Sequence, residues 1–331
     1  MAAVQLSIRD LRVEYVMEDE IVHAVNGISL DLEQGESLGL VGETGAGKTT
    51  TALAVMGLLP KMTGRVAAGS IEFNGRDLVR ASEEELQTIR GNQISMIFQD
   101  PMTSLNPIFT VGDQIAEVLE VHGQVTREQA LNKAGDMLEL VGIPRGRMQE
   151  YPHQFSGGMK QRVVIAAALA CNPKLLLADE PTTALDVTIQ AQVLRMIREL
   201  KTRLDTSLIL ISHDLGVVAQ ICTKAAIMYA GGIVEYGPLE EVFERPLHPY
   251  TEGLFNSIPR LDLERDRLKP IAGLMPDPAA LPSGCVFHPR CPYARELCAV
   301  REPAVVEKDG RKIRCLMHEG LIANTMRSDH A

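Results

Sequence analysis

The nine residues 42–50 constrain this chain more than any other stretch: Gly42, Glu43, Thr44, Gly45, Ala46, Gly47, Lys48, Thr49 and Thr50. The apolar run at 37–41 before them reads as a buried strand, and residues 51–59 after them read as a helix. Strand, glycine loop, Lys-Thr and helix, in that order, are the setting of a phosphate-binding loop. The glycines let successive backbone N–H groups turn inward as an anion nest. The helix N-terminus adds partial positive charge at the same point. Lys48 is then placed to reach the β- and γ-phosphates of a nucleotide, and the Thr49 hydroxyl to ligate Mg²⁺. The glycine order is G-x-x-G-x-G, not the G-x-G-x-x-G of a dinucleotide fingerprint.

With 331 residues the chain has room for one large domain or two, and 45% hydrophobic with 23% charged residues is ordinary for a soluble globular protein. A net charge of −10 argues against nucleic acid as the main partner, because phosphate backbones need a basic face. The longest apolar run, residues 163–171, is too short to span a bilayer. No secretory signal is visible at the N-terminus, so the reading is a cytoplasmic protein that reaches a membrane only through partners. Six cysteines in that compartment are expected reduced unless they hold metal. Cys171 and Cys222 fall in apolar helical patterns and read as small core residues.

Residues 4–34 alternate apolar and polar, which predicts antiparallel strands with one wet face. Tyr15, near the end of the first, is either a strand aromatic or a ring for stacking on a base. Residues 64–69 read as a loop, 70–73 as a short strand, and Asn74-Gly75 as a hairpin turn. Ser82 and Glu85 are spaced as a helix capping box. The strand at 93–98 ends at Gln99, and polar residues at such strand ends face the ligand edge of an α/β sheet. Residues 101–172 carry helical spacing and read as an insertion between two strands. Within it, Ser156, Gly157 and Gly158 precede a helix, giving a second anion-binding helix end or a Ser-capped turn. The apolar strand at 175–178 leads into Asp179 and Glu180. After a phosphate loop, that pair suits a Mg²⁺ ligand followed by a residue that orients or deprotonates water. The strand at 207–211 leads to His213 at the same kind of strand end.

These pieces occur in the order and spacing of an ABC transporter nucleotide-binding subunit, a resemblance covering residues 4 to about 255. It implies an α/β fold: a P-loop (RecA-like) core, an N-terminal antiparallel β subdomain, a helical signature subdomain at about 101–172, and a small cysteine-rich C-terminal extension over 256–331. It further implies that residues 42–50 are the Walker A loop and that Gln99 is the Q-loop glutamine near Mg²⁺. Ser156, Gly157 and Gly158 become the signature motif, Asp179 the Walker B aspartate, Glu180 the general base, Asp186 the D-loop aspartate and His213 the switch histidine. Tyr15 takes the position of the aromatic stacked on adenine. The signature reads Phe155-Ser156-Gly157-Gly158-Met159 where the wider family has Leu and Gln at its ends. With residues 99–107, 151–158 and Leu247-His248-Pro249-Tyr250, it resembles the dipeptide/oligopeptide (and nickel) importer ATPases, of their "D" type. Such a subunit implies ATP and Mg²⁺ as cofactors. Its partners would be a second, "F"-type ATPase subunit packed head to tail, two transmembrane permease subunits and an external solute-binding protein. The expected place is the cytoplasmic face of the inner or plasma membrane. Rival readings are a soluble ABC-type ATPase acting on nucleic acid or the ribosome, and a nickel, opine or glutathione importer of the same subfamily. The first lacks the long coiled-coil insertion or second cassette it usually carries.

The tail holds Pro259, Pro270, Pro276, Pro278 and Pro282, which make its start irregular. Cys285, Cys291, Cys298 and Cys315 follow with intervening gaps of 5, 6 and 16 residues. Clustered thiols in a reducing compartment point to a metal. The gaps are wider than the C-x₂₋₄-C pairs usual for zinc, and four thiolates also suit an iron–sulfur cluster. The resemblance of residues 284–293 to the peptide-importer subunits implies a [4Fe–4S] cluster, favoured over zinc, as a structural clip.

Overall fold

The computed structural model describes residues 3–123, 125–183, 185–257 and 270–326. In chain order its elements are β1 (Val4–Val16), β2 (Ile21–Glu33), β3 (Ser37–Val41), α1 (Lys48–Met56), β4 (Gly64–Phe73), β5 (Arg76–Asp77), α2 (Glu83–Ile89) and β6 (Ile94–Ile97). Then follow α3 (Pro101–Ser104), α4 (Val111–His122), α5 (Arg127–Leu140), α6 (Gly157–Leu169), β7 (Leu175–Asp179), α7 (Val187–Leu204), β8 (Ser207–Ser212) and α8 (Leu215–Ile221). The rest is β9 (Lys224–Tyr229), β10 (Gly232–Pro238), α9 (Leu239–Glu244), α10 (Pro249–Asn256), α11 (Glu296–Val300), β11 (Val306–Lys308) and β12 (Arg311–Ile313). Mixed α/β architecture is what the alternating apolar runs and helical patterns predict. The residues fall into two compact units. One holds Glu72–Ile221 with Asp31–Ser37 and the first few residues; the other holds Ser7–Leu30, Leu38–Ile71 and the chain from Cys222 onward.

In the first unit β6, β7 and β8 run parallel, with Ile97 beside Ala178 and Asp179 beside Ile211. Every residue of all three strands is buried, which is why they read as largely apolar runs, with Ser95 the one interior polar residue. The parallel register brings the three carboxyl ends to one edge. Helices α4, α5 and α6 pack on one another, α4 through Val111, Ile115, Ala116 and Leu119 and α5 through Ala130, Ala134, Met137 and Leu138. Ser82, Thr110 and Thr126 cap α2, α4 and α5, each accepting from a backbone N–H three residues on. The Asn74-Gly75 turn is present, with φ of +49° and +77°, and pairs Glu72 with Asp77.

In the second unit, β3 runs parallel to β9, and β9 turns through Ala230 and Gly231 into antiparallel β10. β10 pairs antiparallel with β12, and β12 with β11, so residues beyond 300 extend the same sheet. The parts of β2, β1 and β4 in this unit lie side by side in that order. A buried ion pair fixes the late hairpin: Arg311 Nη1 lies 3.3 Å from Glu235 Oε1, with side chains 2% and 0% exposed. Glu235 also accepts from the N–H groups of Leu247 at 3.0 Å and His248 at 2.9 Å. Burial pushes the Glu235 carboxyl up despite these donors.

Three readings need correction or completion. Residues 64–69 are not a loop; they are the first part of β4, whose half-exposed edge hides the strand pattern among glycines and alanines. Cys171 is only half-buried, beyond the end of α6, whereas Cys222 is buried as expected but likewise lies just past its helix, α8. Pro259 lies outside the described residues.

Candidate nucleotide-binding and catalytic site

The phosphate loop in the second unit is shaped by close backbone approaches. A Cβ on Gly42 would lie 2.2 Å from the Met228 carbonyl oxygen, and one on Gly47 would lie 2.4 Å from that of Ala24. Gly45 and Gly47 take φ of +84° and +95°, which turns the loop back on itself before α1. Ala46 is buried, while Thr44, Gly45 and Thr49 are exposed. Lys48 is buried and donates from Nζ to the carbonyls of Gly42 at 2.7 Å and Glu43 at 2.9 Å, holding its ammonium over the loop. The Tyr15 hydroxyl donates to Thr50 Oγ1 at 3.3 Å, so the predicted base-stacking ring is tied to the helix start. This is a cradle that only glycine backbone can form, with a cation at its centre, and it fits an anionic phosphate.

In the first unit, Gln99, Glu180 and His213 meet at the ends of the three parallel strands. Glu180 Oε2 accepts from Gln99 Nε2 and from Thr183 Oγ1, both at 3.0 Å. Glu180 Oε1 lies 2.7 Å from His213 Nδ1. Burial pushes the Glu180 carboxyl up. The hydrogen bonds from His213 and Thr183, the His213 charge and the Gln99 amide outweigh it and hold the group below the ordinary carboxylate value. An ionised carboxylate held by three donors can accept a proton in one fixed direction. Its backbone has φ of +45°, an uncommon conformation for a residue with a side chain, pinned by a 2.9 Å bond from Glu180 N–H to the Ile211 carbonyl. Asp179, one residue earlier, is 2% exposed at the end of β7.

Ser156 caps α6, accepting from the Met159 N–H at 3.4 Å. Ser156 and Gly157 are exposed, and a Cβ on Gly157 would meet nothing within 4 Å. A Cβ on Gly158 would lie 2.6 Å from Ile189 Cγ2, so this glycine lets α6 approach α7. Asp186 caps α7, accepting from the Ile189 N–H at 2.9 Å. Arg147 was not singled out by sequence reasoning. Its guanidinium lies 4.4 Å over the Phe155 ring and pairs with Glu150, which gives the aromatic just before Ser156 a cationic partner.

Thr183 and Tyr250 were also missed as site residues. Thr183 sits three residues after Glu180 in the turn, a spacing that signals a side-chain donor only once the turn is known. The Tyr250 hydroxyl accepts from the Glu43 N–H at 3.0 Å, so the His248-Pro249-Tyr250 run touches the phosphate loop. His248 caps α10 and, fully buried, is pushed down to about 3, so it is neutral.

Cys285, Cys291, Cys298 and Cys315 all line one cavity of about 10 Å³, with His248, His288 and Tyr293. Burial pushes the Cys291 thiol up to about 12 and the Cys315 thiol up to about 11. Four thiols around one cavity are a donor set for a soft metal. The cavity is no larger than one water needs, and among the described residues no group of three or more His, Cys, Asp or Glu side chains converges to hold a metal ion.

Residues 25–183 match the ABC transporter family and residues 234–298 match the oligopeptide/dipeptide transporter C-terminal region. The chain is 52% identical over 316 residues to the oligopeptide transport ATP-binding protein OppD of Salmonella typhimurium, covering 95% of this chain and 94% of that one. It is 48% identical to AppD of Bacillus subtilis, covering 95% and 97%, and 47% identical to the dipeptide transport ATP-binding protein DppD of Escherichia coli, covering 94% and 95%. Among solved structures it resembles the ATP-binding cassette MJ0796, a dimer bound to ADP and phosphate, with a TM-score of 0.63 at 25% identity over 71% of this chain and 98% of that one. The chain belongs to the ABC transporter ATP-binding proteins, in the branch that carries the oligopeptide/dipeptide transporter C-terminal region.

Proposed function

We propose that this chain binds and hydrolyses ATP to energise a membrane importer of dipeptides, oligopeptides or a closely related solute. The observation that carries this is Glu180, ionised and held by Gln99, Thr183 and His213 at 2.7–3.0 Å. A nucleotide-binding scaffold without turnover has no need of so specific a setting for a base. Residues 42–50 hold the triphosphate, with Lys48 exchanging loop carbonyls for phosphate oxygens, and Tyr15 receives the base. Thr49, Gln99 and Asp179 are assigned to Mg²⁺, which offsets phosphate charge. Glu180 takes the proton of the attacking water, oriented by His213. Steady-state phosphate release from the purified chain tests the reading. No ATP-dependent release above that of a Lys48→Ala control would overturn it.

The exposed Ser156 and Gly157 helix end serves a second, "F"-type ATPase subunit, with Asp186 in the adjoining loop. In this reading residues 1–255 form the ATPase domain, with a helical part at about 101–172, and residues 256–331 form the C-terminal extension. Two permease subunits and an external binding protein complete the system. Among the described residues no helix is long and apolar enough to cross a membrane, consistent with peripheral attachment through those subunits at the cytoplasmic face. Stimulation of hydrolysis by a peptide-loaded binding protein in the reconstituted complex tests this assignment. A second reading, a [4Fe–4S] cluster held by Cys285, Cys291, Cys298 and Cys315, draws only on the four thiols lining one cavity, which at about 10 Å³ does not fit the cluster as it stands. Such a cluster would supply a structural cross-link. Anaerobic purification with iron, sulfide and zinc assays tests it; stoichiometric zinc without sulfide overturns it.

A further inference from the structure

Glu43 places a carboxylate in the loop that the proposed function assigns to the triphosphate. The structure shows what answers that charge. Arg290 Nη1 lies 3.0 Å from Glu43 Oε2, and Nη2 lies 3.2 Å from Oε1, a two-point pair. The Arg290 side chain is 6% exposed, so this is not a solvated surface contact. Its Nε donates to the Ala272 carbonyl at 3.1 Å, and its guanidinium lies 5.7 Å from the Tyr229 ring centre. Tyr229 in turn packs on Tyr250 and Phe287, at 4.7 and 5.0 Å between ring centres. Tyr250 holds the Glu43 backbone through its hydroxyl. The second residue of the phosphate loop is therefore gripped at both main chain and side chain by residues far downstream. Arg290 ends a short 3₁₀ turn, His288–Arg290, and directly precedes Cys291.

We propose that Arg290 is a positioning residue for nucleotide binding, acting through Glu43. The inference rests on the reading that residues 42–50 hold ATP. Arg290 does two things in this geometry. It neutralises a carboxylate that would otherwise repel the phosphates, and it fixes the first turn of the loop in the shape the nest requires. The C-terminal region thus bears on the phosphate loop through the Arg290–Glu43 pair, beside the Tyr250 contact to the Glu43 backbone.

The test is Mg-ATP titration of the full chain by calorimetry, comparing wild type, Arg290→Met, Arg290→Lys, Glu43→Gln and the Arg290→Met/Glu43→Gln pair. Arg290→Met is expected to weaken ATP binding by roughly tenfold, the scale of a charge interaction at a partly buried site. Arg290→Lys keeps the charge without the fork and should recover part of that loss. With Glu43→Gln already in place, adding Arg290→Met should change the affinity by less than about twofold, because the repelling charge is gone. The same fold-loss in both backgrounds would show that Arg290 merely stabilises the fold, and overturn the proposal. So would an Arg290→Met affinity equal to wild type. If instead the wild type binds ATP no better than Lys48→Ala, the ATP reading itself fails, which is a different result.

Discussion

Replacing Glu180 by Gln separates chemistry from structure in this protein. The two carboxylate oxygens have distinct duties: Oε2 accepts from Gln99 and Thr183, and Oε1 faces His213 Nδ1 at 2.7 Å. A glutamine carbonyl can take over the Oε2 position and keep both donors. Its amide then points at His213 Nδ1, which must become the acceptor. The His213 side chain is 60% exposed, so its other nitrogen can carry the proton in solvent. The backbone at 180 is held by its own N–H bond to Ile211 and is unaffected. The structural cost is therefore small, on the order of 1 kcal/mol. The chemical cost is large, because an amide cannot take a proton from water, and turnover should fall by about 10² to 10⁴. The assay is phosphate release at saturating Mg-ATP, with ATP affinity measured separately and expected within about threefold of wild type. Turnover that stays within about threefold of wild type would show that Glu180 is not the base.

The remaining predictions follow from equally local features. Gly47→Ala should abolish ATP binding in a titration, because a Cβ there lies 2.4 Å from the Ala24 carbonyl and φ is +95°. Arg311→Met should cost about 3 kcal/mol in urea unfolding, since it removes the donor shared by the buried Glu235 carboxyl and the Glu241 and Arg245 carbonyls. Ser82→Ala should cost about 1 kcal/mol by removing one half of the capping box on α2. The ionised form of Glu180 is favoured by folding, so its contribution is present above the unfolded carboxylate value, about 4.3, and is lost as pH falls through the lower folded value. Wild-type stability relative to Glu180→Gln, measured by urea unfolding, should therefore shrink as the pH is taken below the unfolded carboxylate value.

What the sequence made legible is what chain-local physics controls. Buried parallel strands are mostly apolar, so β6, β7 and β8 stand out in the sequence, and Gln99, Glu180 and His213 fall just past their ends, where the ligand edge has to be. Caps and tight turns are equally local, as Ser82, Ser156 and Asn74-Gly75 show. The start of β4 was misread because strand identity there comes from its neighbours in the sheet, not from its own glycines and alanines. The long-range polar pairs left no signal at all. Arg290 and Glu43 are 247 positions apart, and Arg311 and Glu235 are 76 apart. Each is an ordinary charged residue until the fold buries it. These two pairs also share a logic. One fixes the late hairpin to β10, and the other fixes the turn before Cys291 to the phosphate loop. The Leu247-His248-Pro249-Tyr250 run lies between them, its first two N–H groups on Glu235 and its tyrosine hydroxyl on Glu43. The segment that distinguishes this branch is thus built as a bracket on the phosphate loop. Arg290 reaches Glu43 directly and, through Tyr229 and Tyr250, at its backbone as well, so a change in the packing around Arg290 bears on Glu43 by both routes.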